Sequence, residues 1–157
     1  MDDVLDALRS ALTQIFREQH GTLREVVDGL DAAALNWRPG ADTNSIAVLC
    51  GHILGSEDFL SATAVGDTIP RDREAEFGVE VADAAALIRQ IDAAEARVLE
   101  RVARLTANDL MEERAPGNDP RNRRALGSWW ILHAVEHCRE HIGQALLTRQ
   151  LYEQGRR

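Results

Sequence analysis

Apolar residues recur at steps of three and four through four long segments. No stretch alternates like a strand for long, so the pattern predicts helices. Leu5, Leu8, Leu12, Ile15/Phe16, Leu23, Val26/Val27 and Leu30 form the first stripe and predict a helix from about Asp3 to Leu30. His20 falls in the gap between Phe16 and Leu23. The segment closes at Asp31, and Asn36 to Gly40 reads as a turn because Pro39 bars helix for the residue before it. A run of cap formers, Asp42 to Ser45, predicts the start of a second helix, which carries Ile46, Leu49, His52/Ile53, Ser56 and Phe59/Leu60 to about Ala64. Gly66 to Gly78 reads as a polar connection, long for a helical bundle. A third helix follows Asp83, with Leu87, Ile91, Ala94, Val98, Val102 and Leu105 inward. Thr106 to Arg124 reads as a long loop with a short helical turn near Asn108–Glu113. A fourth helix runs from about Leu126 to Tyr152.

Four amphipathic helices in one short chain predict an all-α four-helix bundle, with residues 1–157 as a single domain. Long connections mean that at least one crosses the bundle, so up-down-up-down order does not follow. The 157 residues are 45% hydrophobic, too apolar for a disordered chain, and no apolar run reaches the ~20 residues of a membrane span. An acidic, amphipathic start is wrong for a signal peptide, so the expected address is cytoplasmic, with no membrane partner.

A net charge of −8 argues against a nucleic-acid partner. Arg121, Arg123 and Arg124 make a local patch and not a groove. Cys50 and Cys138 are too few for a disulfide framework and too far apart for a redox pair, so both are read as reduced thiols. All 18 basic residues are arginine. Without a lysine, Schiff-base chemistry, pyridoxal-phosphate catalysis and a Walker A phosphate loop are excluded.

Histidine changes the picture. His133, His137 and His141 lie at i, i+4 and i+8 on the fourth helix and fan over about 80° of the face that carries Trp130 and Ala145. A pair spaced four apart can aim two ring nitrogens at one ion, and a third ligand must come from another helix. His52, on the inward flank of helix two, is the first candidate, with His20 in reserve. Several imidazoles on one buried face each need a partner, and a divalent cation supplies one by taking a lone pair from each neutral ring. Imidazole suits zinc, nickel, copper or iron alike. The competing reading is a set of satisfied core or pocket histidines. His133 reads as pocket lining or as backing another residue, because three ligands on one straight helix would span more than ~10 Å. His20 reads the same way. Glu57, Glu136 and Glu140 are expected to be solvated or to support the histidines. Cys138 is expected to be a small buried thiol, Gly143 a point of close helix approach, and Trp129 and Trp130 core or interface anchors.

Two blocks of sequence carry a family resemblance. One is Leu30 to Gly40 (LDAAALNWRPG), followed by Asn44-Ser45-Ile46 and by Leu49 to Ile53 (LCGHI). The other is Leu132 to Gln144 (LHAVEHCREHIGQ), and Leu105 to Leu110 suits the third connection. Together they resemble the DinB-like superfamily of small bacterial proteins over essentially the whole chain. The resemblance implies a four-helix bundle of up-down-down-up order, with a divalent metal, zinc or nickel foremost, on His52, His137 and His141. It implies thiol S-transferase or isomerase chemistry of the mycothiol and bacillithiol type, with a small-molecule electrophile as substrate, and a homodimer. Ile142 stands where many members carry arginine. Arg38 or Arg121–Arg124 could meet the thiol cofactor's polar or carboxylate groups, although a solvated loop is favoured for them. The alternative is a non-catalytic, stress-related metal- or ligand-binding bundle using the same histidines.

Overall fold

The structure is a computed structural model and describes residues 2–155. Its elements are α1 (Asp2–Val27), α2 (Ala32–Asn36), α3 (Ile46–Ala64), α4 (Arg73–Phe77), α5 (Ala84–Arg104), α6 (Ala107–Met111), β1 (Glu113–Arg114), β2 (Ala125–Leu126) and α7 (Gly127–Gly155). Side-chain caps fix the helix starts. Ser45 Oγ accepts from the Val48 amide at 3.2 Å, and Asp83 Oδ1 from that of Ala86 at 2.7 Å. Thr106 and Asp109 close a capping box on α6.

Named contacts settle the direction of the four long helices. Arg9 meets Leu105 while Arg24 meets Asp92 and Glu95, so α1 and α5 are antiparallel. His52 faces His141 while Phe59 faces Trp130, so α3 and α7 are antiparallel. Gln19 reaches Val135 and Arg149 reaches Glu25, which makes α1 and α7 parallel. Asp58 meets Arg97 and Arg101 while Asp67 meets Arg104, which makes α3 and α5 parallel. The order is therefore up-down-down-up, and the α3-to-α5 connection crosses the bundle. Of the described residues, no helix is long and apolar enough to cross a membrane.

Two apolar clusters stack along the axis. One gathers Leu12, Phe16, Phe59, Leu60, Val98 and Trp130, and the other Leu23, Leu35, Ile53, Leu87, Ile91 and Ile142. α3 is buried on nearly every side. α5 keeps one buried face and is solvated on the other.

Several boundaries differ from the periodic reading. α1 stops at Val27 because Gly29 takes a left-handed φ of +71°, and Asp31 then caps the short α2. The polar connection after α3 holds α4, started by the Asp72 side chain on the Ala75 amide. Glu113–Arg114 pairs antiparallel with Ala125–Leu126, a two-residue ladder too short to leave an alternating pattern. Gly143 is exposed, and a Cβ there would meet nothing within 4 Å, so within the described residues it is not a point of close approach. Cys50 and Cys138 are free and buried, as expected.

The α3–α5 seam rests on one polar cluster. Arg101, nearly buried, donates from Nη1 to Asp58 Oδ1, to the Asp58 carbonyl and to Ser61 Oγ. Replacing Asp58 removes the carboxylate that neutralises that guanidinium, whereas Glu100 is exposed. Asp58→Ala is expected to lower the unfolding free energy by about 2 kcal/mol. Glu100→Ala should change it by less than about 0.5 kcal/mol. Urea denaturation of the two variants checks this.

Candidate metal centre

The antiparallel seam of α3 and α7 brings His52, His137 and His141 together. Their ring centroids lie 4.9 Å (His52–His137), 4.8 Å (His52–His141) and 4.5 Å (His137–His141) apart. One ring nitrogen from each lies within 4.8 Å of the others. Nitrogens around a tetrahedral ion at ~2.1 Å sit about 3.4 Å apart, so an ion would draw the three rings somewhat closer.

Two of the rings are oriented by what their other nitrogen does. His52 Nδ1–H donates to Glu76 Oε2 at 2.8 Å, so in the neutral ring the lone pair is on Nε2. Glu76 is held in turn by Arg71, whose Nε and Nη2 reach Oε1 and Oε2 at 2.7 and 2.9 Å. Burial pushes the Glu76 carboxyl up, but the hydrogen bonds from His52 and Arg71 and the Arg71 charge outweigh it and hold it below the usual carboxylate range. A Cβ on Gly55 would lie 2.5 Å from Glu76 Oε1, so glycine there leaves room for the Glu76 carboxylate against α3. Phe77, also on α4, packs on the His52 ring at 4.9 Å. His141 Nδ1–H donates to Gln144 Oε1 at 2.8 Å.

His137 is different. Its Nδ1 is buried and meets no hydrogen-bond partner. Burial, reinforced by His141, His52, His133 and Arg71, pushes its pKa down to about 3, so the ring is neutral. An orphaned nitrogen on a neutral ring, one of three converging imidazoles, is a donor set suited to a divalent ion.

The other histidines lie apart from this group. His133 sits at the cavity rim, stacked on Trp129 with centroids 4.5 Å apart and with Nδ1 3.2 Å from Glu136 Oε2. His20 lies between the two apolar clusters, fully buried. Its Nδ1–H donates to the Phe16 carbonyl at 2.8 Å, and Nε2 lies 3.2 Å from Glu57 Oε1, off the line of a well-formed hydrogen bond. Because the first nitrogen must donate, the second and the carboxylate would be two facing acceptors unless a proton is shared between them. Burial lowers the His20 pKa, but the close Glu57 carboxylate, with the Phe16 carbonyl, more than offsets it, and the value is raised. Cys138 Sγ points at Glu57 Oε2 from 3.6 Å, and burial, with Glu57, pushes its thiol well above the usual range. Glu57 is thus buried support for His20, while Glu136 and Glu140 are exposed. Trp130 is a core anchor, and Trp129 is exposed at the rim.

The three histidines open into a cavity of about 290 Å³. Ser56, Phe77, His133 and Glu140 line it with Arg71, Arg73, Arg121 and Arg123.

Compared with protein families, residues 15–145 match the DinB superfamily. The chain belongs to the DinB superfamily. Solved structures agree on this fold at low identity. A DinB-like protein from Bacillus subtilis superposes with a TM-score of 0.68 over 92% of both chains at 18% identity. A conserved protein from Enterococcus faecalis gives 0.71 at 16% identity, over 90% of this chain and 95% of its own. A mutant of a mycothiol-dependent maleylpyruvate isomerase gives 0.60 at 13% identity, over 85% of this chain and 59% of its own. No curated protein matches the sequence.

In this DinB bundle the site also uses residues that periodicity does not reveal. Arg71, Glu76 and Phe77 lie in a connection without an apolar stripe. Their one sequence signal is the Asp72 cap followed by an apolar Phe77. Arg38 and Arg124 do not line the cavity, and Arg124 pairs with Glu113.

The His137 environment sets a pH dependence. In the unfolded chain the ring takes a proton near pH 6.5, whereas the folded ring resists protonation until about 3. The unfolded state therefore binds more protons between these values, so this group makes stability fall as pH drops below about 6.5, by up to ~1.4 kcal/mol per pH unit. In chelator-treated protein, His137→Gln is expected to flatten the denaturant midpoint between pH 6.5 and 4.5 relative to wild type.

Proposed function

We propose that this DinB protein, acting as one unit over the whole chain, is a divalent-metal-dependent thiol S-transferase. It would join a low-molecular-weight thiol of the mycothiol or bacillithiol type to an electrophilic small molecule. His52, His137 and His141 would hold the ion, zinc or nickel first. The observation that carries this reading is the convergence of three imidazoles, two with Nδ1 engaged by Glu76 and Gln144 and the third, His137, with Nδ1 buried and unpartnered. Three imidazoles would leave coordination positions open, and a divalent ion held there would favour the thiolate form of a thiol at neutral pH. The chain's own residues do the rest. Glu76 and Gln144 fix the two outer rings, Phe77 walls the His52 side, and His133 on Trp129 forms the opposite rim. That a mycothiol-dependent isomerase shares the bundle makes mycothiol the first thiol to try.

Pairing of two copies is part of the proposal. Leu132, Leu146, Leu147 and Leu151 are exposed along α7, a surface a second copy would cover.

Metal content by inductively coupled plasma mass spectrometry is the first test. We expect near one equivalent in wild type and none in His137→Ala/His141→Ala. Wild type should also turn over a thiol with a chromogenic electrophile such as 1-chloro-2,4-dinitrobenzene in a metal-dependent way. Metal uptake without turnover would favour the non-catalytic binding bundle. No uptake, even after incubation with zinc or nickel, would sink both. Glu76→Ala removes the partner of both His52 and Arg71 and is expected to weaken zinc binding roughly 10–100-fold in chelator competition.

A further inference from the structure

Four arginines line the cavity beside the three histidines, two from each of two long connections. Arg71 and Arg73 come from the segment around α4, and Arg121 and Arg123 from the segment before β2. Glu140 is the one carboxylate that lines it among the described residues, on a chain whose net charge is −8. The four are not equivalent. Arg71 is nearly buried and spends Nε and Nη2 on Glu76. Arg123 grips both oxygens of buried Asp119, at 3.0 and 2.7 Å, and its guanidinium lies over Trp130 at 5.0 Å. Each of these two cations is neutralised and fixed in the wall. Arg73 lies over the Phe77 ring at 4.9 Å, and neither it nor Arg121 has an ion pair among the described residues. Two uncompensated guanidiniums therefore face the same opening, where a low-dielectric wall focuses their field. A guanidinium without a carboxylate partner, beside a cavity of small-molecule size, is a ready donor pair for an oxyanion.

We propose that the cavity takes a small ligand bearing an oxyanion group, a carboxylate or a phosphate, bound by Arg73 and Arg121. This gives the chemical class of the molecule that the histidine site acts on. It rests on that site being the functional one but does not require a metal to be bound. Arg71 and Arg123 act as walls and positioning residues and do not bind the ligand's charge directly.

The test is calorimetric titration of succinate, inorganic phosphate and neutral succinamide into zinc-loaded and metal-free protein. Wild type is compared with Arg73→Gln/Arg121→Gln and with Arg89→Gln, an exposed arginine outside the cavity. All three arginines are exposed, so the melting temperatures should stay together. We expect succinate or phosphate to bind wild type in both metal states, at least roughly tenfold more tightly than succinamide, with affinity falling as sodium chloride rises. The double variant should lose roughly tenfold or more, and Arg89→Gln nothing. Whichever anion binds more tightly identifies the oxyanion's source, and either order agrees with the proposal. Absence of binding by both anions would overturn it. So would succinamide binding as well as succinate, or wild-type affinity in the double variant. A chain that takes up no zinc yet binds either anion through these arginines would refute the metal reading and leave this one intact.

Discussion

An imidazole buried on an apolar helix must satisfy two ring nitrogens of opposite character, and on α3 there is nothing local to do so. α3 is covered on nearly all sides, so the partner for His52 has to be delivered from elsewhere in the chain. The crossing connection delivers it: α4 lies across α3 at Gly55 and presents Glu76 to His52 Nδ1. Arg71 then neutralises the carboxylate that would otherwise be stranded. This three-residue chain pins the crossing segment onto the bundle. It also aims the free nitrogen of His52 at α7 and forms one wall of the cavity. Without it, neither the histidine convergence nor the arginine-lined mouth has a scaffold.

His20 and His137 show how environment assigns opposite charge states to the same side chain. His20 meets a carbonyl and a carboxylate, both acceptors, so the pair retains a proton, and its contribution to stability is present below pH ~6.5 and lost as pH rises through the raised folded value. His137 is held neutral by burial first and then by the charges of three other imidazoles and Arg71, and its contribution runs in the other direction. Cys138 directly follows His137 in the sequence and, turned 100° from it, faces Glu57, the partner of His20. Helical geometry alone thus divides one stretch of α7 between a proton-retaining layer inside the core and a lone-pair donor at its surface.

Periodicity made the bundle legible. The four long helices lie where the apolar stripes put them, because each stripe is a burial requirement that only packing can meet. The grouping of His52 with His137 and His141 was legible for a related reason: an i, i+4 pair on an inward face needs a third side chain from a neighbouring helix. What the pattern did not carry was everything set by single contacts. α2 and α4 are five residues long, too short for a stripe, and rest on the side-chain caps Asp31 and Asp72. Glu76 and Arg71 look like solvated loop charges until α4 is folded onto Gly55. Glu57 reads as a supporting residue beside the metal-type histidines, whereas it serves His20, because its partner lies on α1 and its helix angle says nothing about that. Gly143, with open space where a Cβ would be, shows the converse error of giving a glycine a packing role from position alone.

The same electrostatics ties the two halves of the site together. A cavity lined by four guanidiniums is an unfavourable place for a dication, and two of those charges are cancelled by Glu76 and Asp119. The two that remain, Arg73 and Arg121, leave a positive potential in the cavity into which the histidines open. An oxyanion that neutralises them lowers that potential and so favours a divalent ion on the imidazoles, and by linkage the ion favours the oxyanion equally. Coupling of this kind needs no conformational change. It follows from charges that line one cavity in a medium less polar than water.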